Sequence, residues 1–203
     1  GLLISIQDAE EVPWRKDSSP EINAPGQRGR SDKRAVATEE IEIKPRRFGH
    51  MLLFTPDLER KAEFFTHALG LGVSDSVETF LRFLYAPTGS DHHIIGLGLS
   101  GSPGFQHAGF EVGSVDEVAL AGQRMVEKGY INCWGTGRHG PGSNYFHYLR
   151  DPWNSIAEYF CDMDYITEGS DWEPRVWQNE DADASWGPHL PPDFLTNFEA
   201  IGR

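Results

Sequence analysis

The feature that most constrains this chain is that it repeats itself. Setting the segment that begins at His50 over the one that begins at His107, 57 residues further on, aligns two short apolar strands that each end in a helix cap. In the first copy Asp57 is placed to cap a helix in which Leu58, Ala62, Phe65 and Leu69 share a face before Gly70 ends it. In the second, Ser114 and Glu117 have capping-box spacing, Val115, Val118, Ala119, Met125 and Val126 form the apolar side, and Gly129 closes the helix. Three β-rich segments follow each helix: residues 72–78, 79–86 and 92–99, then 133–138, 144–149 and 155–161. Each copy therefore reads as a βαβββ unit. Such a unit leaves an open edge and an uncovered sheet face, so the two copies are expected to pair around a shared cavity. The predicted class is α+β, with paired βαβββ modules forming an open barrel.

The repeat fills residues 47–165. Before it, residues 1–46 run from an apolar stretch, Leu2 to Ile6, through Pro13, Pro20 and Pro25 to a polar run ending at Lys33 and Arg34. That segment reads as a strand remnant and linker at the end of a missing N-terminal domain. After it, residues 166–203 carry Trp172, Trp177, Trp186, Pro188, Pro191, Pro192 and Phe194. Two readings stand for this extension: a lid over the barrel mouth or a subunit contact, and Trp and Pro packing on the barrel wall.

Charge narrows the partners. Asp plus Glu number 31 against 18 Lys plus Arg, a formal charge of −13 that repels nucleic-acid phosphates and anionic membrane surfaces alike. Cys133 and Cys161 are the two cysteines of 203 residues, too few for a disulfide framework, and a reducing cytoplasm is the expected compartment. No apolar run approaches the roughly 20 residues that a membrane-spanning helix needs.

Among eight histidines, His50 and His107 stand out because they occupy the same position of the repeat. Paired copies would bring them together. Glu158 sits in the last strand of the second copy with Ile156 and Phe160 on its own face of the pleat. A carboxylate on an apolar face needs a partner. Two neutral imidazoles and one carboxylate leave three adjacent positions open on a metal, which suits non-haem Fe(II) oxygen chemistry. Glu111 shares a strand face with His107, but at about 3.3 Å per residue it would stand roughly 13 Å along the strand. Taken singly, each histidine also fits a hydrogen-bonded core residue and Glu158 a strand-end carboxylate; equivalence in the repeat is what favours ligation.

Residues 134–160 add a longer pattern: a loop with Gly137, Arg138 and His139, a strand tyrosine Tyr148, a turn at Asp151 and Pro152, then Glu158. The pattern resembles the C-terminal signature of the type I extradiol (meta-cleaving) catechol dioxygenases of the vicinal oxygen chelate superfamily. Asp91, His92 and His93 resemble that family's catalytic-histidine strand, and Gln106 and His107 its second-ligand strand. The resemblance implies that His50, His107 and Glu158 bind Fe(II), or less often Mn(II), and that His93, His139 and Tyr148 line the open face of the metal as catalytic groups. It further implies a small aromatic diol and O2 as substrates, a ring-opened semialdehyde product and a homo-oligomer. His93 would exchange a proton on the oxygen side, and His139 and Tyr148 would hydrogen-bond the substrate oxygens. From spacing alone His92, on the opposite strand face, competes with His93. His67, His147 and His189 read as structural.

Relatives that cleave carboxylate-bearing catechols place an arginine five residues before the loop histidine, where this chain has Trp134, which implies a neutral catechol. Two rivals share the scaffold. A glyoxalase-type enzyme would need a fourth protein ligand in the first copy, where Gly98 and Leu99 are expected to face Glu158. A metal-free drug-binding module would have no use for the histidine and carboxylate set.

Overall fold

The two copies of the repeat fold alike and join edge to edge. The computed structural model describes residues 3–5, 7, 10, 22–32 and 41–201. The first copy comprises β1 (Arg47–Thr55), α1 (Leu58–Glu63), β2 (Gly72–Val77), β3 (Leu81–Tyr85) and β4 (Ile95–Leu99). The second comprises β5 (Gly104–Glu111), α2 (Val115–Glu127), β6 (Ile131–Arg138), β7 (Tyr145–Arg150) and β8 (Ile156–Cys161). A further strand, β9 (Arg175–Trp177), completes a nine-stranded sheet of order β9-β2-β3-β4-β1-β5-β8-β7-β6. Within each copy the first strand runs parallel to the last, β1 with β4 and β5 with β8, and the remaining neighbours are antiparallel. β9 and β6 end the sheet and do not pair with each other, so among the described residues it is open.

The copies meet along an antiparallel seam between β1 and β5, where Met51 lies opposite Ala108. Those two residues hold the same place in the repeat, so a pseudo-twofold axis passes between them. The register slips by one residue at Gly49 in β1 and at Gln106 in β5, again equivalent positions. Each copy thus carries a β-bulge immediately before its histidine, a device that re-aims side chains beside functional sites.

Pleat alternation sends one face of the sheet to the helices. Asp57 caps α1, its side chain accepting from the Arg60 amide at 3.1 Å, and the helix widens into a π turn over Phe64–Ala68. Leu58, Ala62 and Phe65 then pack on Leu53, Leu84 and Leu97. Ser114 caps α2 by accepting from the Glu117 amide at 3.3 Å, and the Glu117 carboxylate returns to the Gly113 amide and to Arg46. Val118, Ala121 and Gly122 are the apolar residues α2 buries, whereas Ala119 and Val126, expected on that side, are exposed. The 118, 121, 122, 125 stripe keeps the three-and-four spacing that a single helix face demands.

The C-terminal segment is woven into the fold. β9 extends the sheet beside β2, the Trp172 indole donates to the Ser74 carbonyl at 2.9 Å, and Trp186 bridges Arg138. At the other end, Asn23–Ala24 and Gln27–Arg28 pair in a small turn. Leu2, Ile6, Pro13, Pro20, Lys33 and Arg34, on which the expected remnant and linker rest, lie outside the described residues.

Gly122 shows how closely α2 sits on the sheet: a Cβ there would fall on the His147 ring, whose Nδ1 is held 3.0 Å from Thr136 Oγ1. Glycine to alanine in a helix ordinarily stabilises by about 1 kcal/mol. Here overpacking, costing about 1–3 kcal/mol, opposes it. Gly122→Ala is expected to lower the thermal unfolding midpoint, and a raised midpoint would contradict this packing.

Candidate metal centre

On the face away from the helices, one row of residues crosses five strands in register: His50, Gly109, Glu158, Tyr148 and Trp134. Gly109 is the key to it. A Cβ at that position would overlap the His50 imidazole. With only a hydrogen there, His50 leans across β5 and its Nε2 comes within 2.6 Å of Glu158 Oε2. His107, diagonal to His50 across the axis, brings its Nε2 to 3.6 Å from the same oxygen. The other carboxylate oxygen accepts from the Asn144 side chain at 3.1 Å. One ligand atom from each of His50, His107 and Glu158 lies within 4.8 Å of the others, and all three residues are buried.

This donor set fits a divalent cation. Burial pushes His50 and His107 down to about 3, for His107 against the pull of the Glu158 charge, so both present neutral imidazoles at neutral pH. Burial also raises Glu158, a carboxylate held in a dry place where a cation would favour its charge. His107 Nε2 is buried without a hydrogen-bond partner. Its Nδ1 is taken by Gln106 Oε1, which fixes the proton on Nδ1 and leaves Nε2 bare for a metal. Donors about 2.1 Å from one ion and at right angles stand about 3 Å apart, between the two measured separations.

Above the trio lies a cavity lined by His93, His107, His139 and Tyr148 together with Phe83 and Trp134. His139 Nδ1 donates to the Asp183 carbonyl at 2.9 Å, so its Nε2, 2.9 Å from the Tyr148 hydroxyl, is the acceptor of that bond. Burial, opposed in part by the Glu158 charge and the Asp183 bond, lowers His139 and keeps it neutral. Tyr148 is pushed well above its usual range by burial and by Glu158, so it keeps its proton. Trp134 stacks parallel to Tyr148 at 5.6 Å, and its indole donates to the Pro188 carbonyl.

Of the two competing histidines, His93 lines the cavity and its ring stands 4.7 Å from that of His50. His92 turns away toward Asp75. Glu111 is paired with Arg47 at 2.6 Å, outside the trio. His67 and His189 are exposed, and His147 packs on α2. The position equivalent to Glu158 in the first copy is Gly96, opposite Leu52, rather than the expected Gly98 or Leu99. The residue changes and the chemistry does not, since glycine offers no fourth ligand. Sequence reasoning gave no role in the site to Gln106, Asn144 or Asp183. Only the bulge preceding each histidine brings the first of these into play, and a period-two reading hides it.

Acid sensitivity follows from the neutral histidines. His50 and His107 titrate near 6.5 when unfolded and near 3 in the fold. Between those values the unfolded chain binds protons that the fold refuses, so stability is full above pH 6.5 and is lost as pH falls through the window. At pH 5 each histidine is expected to cost about 2 kcal/mol relative to neutral pH. Glu158, shifted upward, acts in the opposite sense and softens the loss. Urea unfolding of the metal-free chain at pH 7 and pH 5 measures it, and equal stability at both would contradict the buried neutral pair.

Residues 47–159 match the family model described as Glyoxalase/Bleomycin resistance protein/Dioxygenase superfamily. Metapyrocatechase 2 of Cupriavidus necator is 44% identical over 203 residues, covering 98% of this chain and 62% of that protein. The 2,2',3-trihydroxybiphenyl dioxygenase of Sphingomonas paucimobilis is 28% identical over 149 residues, 70% of this chain and 49% of its own. This chain thus spans about half to three fifths of the length of these curated relatives. Among solved structures, the Mn(II)-bound glyoxalase from Novosphingobium aromaticivorans superposes with a TM-score of 0.64 at 28% identity, covering 83% of this chain and 58% of that one. With its paired modules, seam and match over more than half its length, the chain belongs to the Glyoxalase/Bleomycin resistance protein/Dioxygenase superfamily.

Proposed function

We propose that the protein is an extradiol ring-cleaving dioxygenase that opens a catechol-type diol next to its hydroxyls, with His50, His107 and Glu158 holding Fe(II). Mn(II) is the alternative ion. The observation that carries this reading is a three-donor set, with no fourth ligand at Gly96, opening on a cavity walled by His93, His139, Tyr148 and flat apolar side chains. Its likeness to a metapyrocatechase points the same way. A glyoxalase-type reading asks for the ligand that Gly96 lacks.

Fe(II) held by His50, His107 and Glu158 would bind the diol and O2 together and would lower the pKa of a bound hydroxyl. The protein's own part is positioning and proton traffic. Trp134, Phe83 and Phe194 form apolar walls that orient a planar ring and exclude water. Tyr148, still protonated, and His139 hold the substrate oxygens. His93, neutral and facing the cavity, accepts a substrate proton and returns it as the ring opens. The reaction consumes one O2 per catechol and places both oxygen atoms in a ring-opened hydroxymuconic semialdehyde. Trp134, where acid-cleaving relatives carry arginine, favours a neutral diol. Assembly as a homo-oligomer in the cytoplasm belongs to the same proposal.

After anaerobic loading of the full chain with Fe(II), catechol, 4-methylcatechol or 2,3-dihydroxybiphenyl should draw one O2 per diol and yield a yellow product. His107→Ala should abolish both. Metal bound without O2 uptake on any of these diols would overturn the proposal.

A further inference from the structure

Behind His93 lie two buried groups that the proposed reaction does not use. His92 Nδ1 stands 3.0 Å from His93 Nδ1, and His92 Nε2 stands 3.1 Å from Asp75 Oδ2. His92 has no exposed surface, Asp75 is 3% exposed and His93 7%, so water does not complete these contacts. Asp75 is gripped from the C-terminal segment as well: the Arg175 amide donates to Oδ1 at 2.8 Å and the Trp177 indole to Oδ2 at 2.7 Å. The Phe83 ring, tilted, and the Trp172 ring, edge-on, pack against His92, and Gly142 closes over the histidine pair.

Two facing imidazole nitrogens at 3.0 Å need one donor and one acceptor. Which is which follows from Asp75. Burial works to raise its carboxyl, but the His92 ring nitrogen 3.1 Å away and the donors Arg175 and Trp177 outweigh burial and hold it below the usual range, so it is ionised. An anion beside His92 Nε2 keeps the proton on that nitrogen, and His92 Nδ1 becomes the acceptor. His93 must then donate from Nδ1. His93 is 7% exposed and held between the His50 and His92 rings, so with the one proton of a neutral imidazole placed on Nδ1 its Nε2 is bare.

We propose that Asp75 and His92 are positioning residues that fix His93 as the tautomer with its proton on Nδ1 and a bare Nε2 turned to the cavity. Arg175 and Trp177 of β9 grip the Asp75 carboxylate but do not touch the histidine pair. The use made of the bare nitrogen, as acceptor of a substrate proton, rests on the dioxygenase reading; the tautomer itself does not.

The test is the ring 15N spectrum of the full chain labelled at histidine, metal-free and loaded with diamagnetic Zn(II). The wild type is expected to show His93 protonated at Nδ1 and bare at Nε2. Asp75→Asn and His92→Phe should each shift His93 toward the other tautomer and lower kcat for O2 uptake at least tenfold at nearly unchanged KM. Trp177→Phe, which removes one donor and spares the carboxylate, should leave the tautomer as it was. If Asp75→Asn does not fold, His92→Phe decides. Nε2 protonated in the wild type, an unchanged tautomer in His92→Phe, or an equal change in Trp177→Phe would overturn the proposal. A wild type with the expected tautomer and no O2 uptake would sink the dioxygenase reading alone.

Discussion

The antiparallel seam between β1 and β5 is the constraint on which the site depends. It places the pseudo-twofold axis at Met51 and Ala108 and sets His50 and His107 diagonally across it. Duplication by itself would build two equal half-sites. On one side of the axis His50 faces Gly109 and then Glu158; on the other, His107 faces Leu52 and then Gly96. A small residue and a carboxylate in one half, a bulky aliphatic and a glycine in the other, turn a symmetric cleft into a site with a single acid. Three protein donors are the result, and the open side looks into the cavity.

Electrostatics follows the same division. His50, His107 and the cavity histidines are buried and neutral around the single acid Glu158, so a cation there would be the dominant local charge. Behind β1, Arg47 joins Asp91 and Glu111, balancing two acids near His50 without entering the trio. Among the described residues the other carboxylates, Asp75 and Glu117 apart, are exposed or half-buried.

Much of this was legible in the sequence because the repeat is strong. Equivalence of His50 and His107, the two caps at Asp57 and Ser114, and the glycine helix ends at Gly70 and Gly129, with φ of +74° and +92°, all follow from local rules. What was hidden depends on register. The bulges at Gly49 and Gln106 break alternation, so Gln106 shares the side of His107 although the two are adjacent. The sequence pattern points to Gly98 and Leu99, two and three residues beyond Gly96, because strand ends, not pairing, are its only guide. Asp75 meets His92, and Phe194 meets Gln106, over sequence distances at which no periodicity speaks. The tail's composition gave Trp and Pro but not its strand beside β2.

The most direct test of the central claim is the metal affinity of Gly109→Ala against the wild type, by anaerobic calorimetry with Fe(II). The account predicts one ion per wild-type chain and an affinity at least tenfold weaker in Gly109→Ala, because the added methyl drives His50 away from Glu158. Near-UV circular dichroism should show both folded. Equal affinity in the two proteins would mean that the empty place at Gly109 does not build the site, and the row of residues across the seam would lose its meaning.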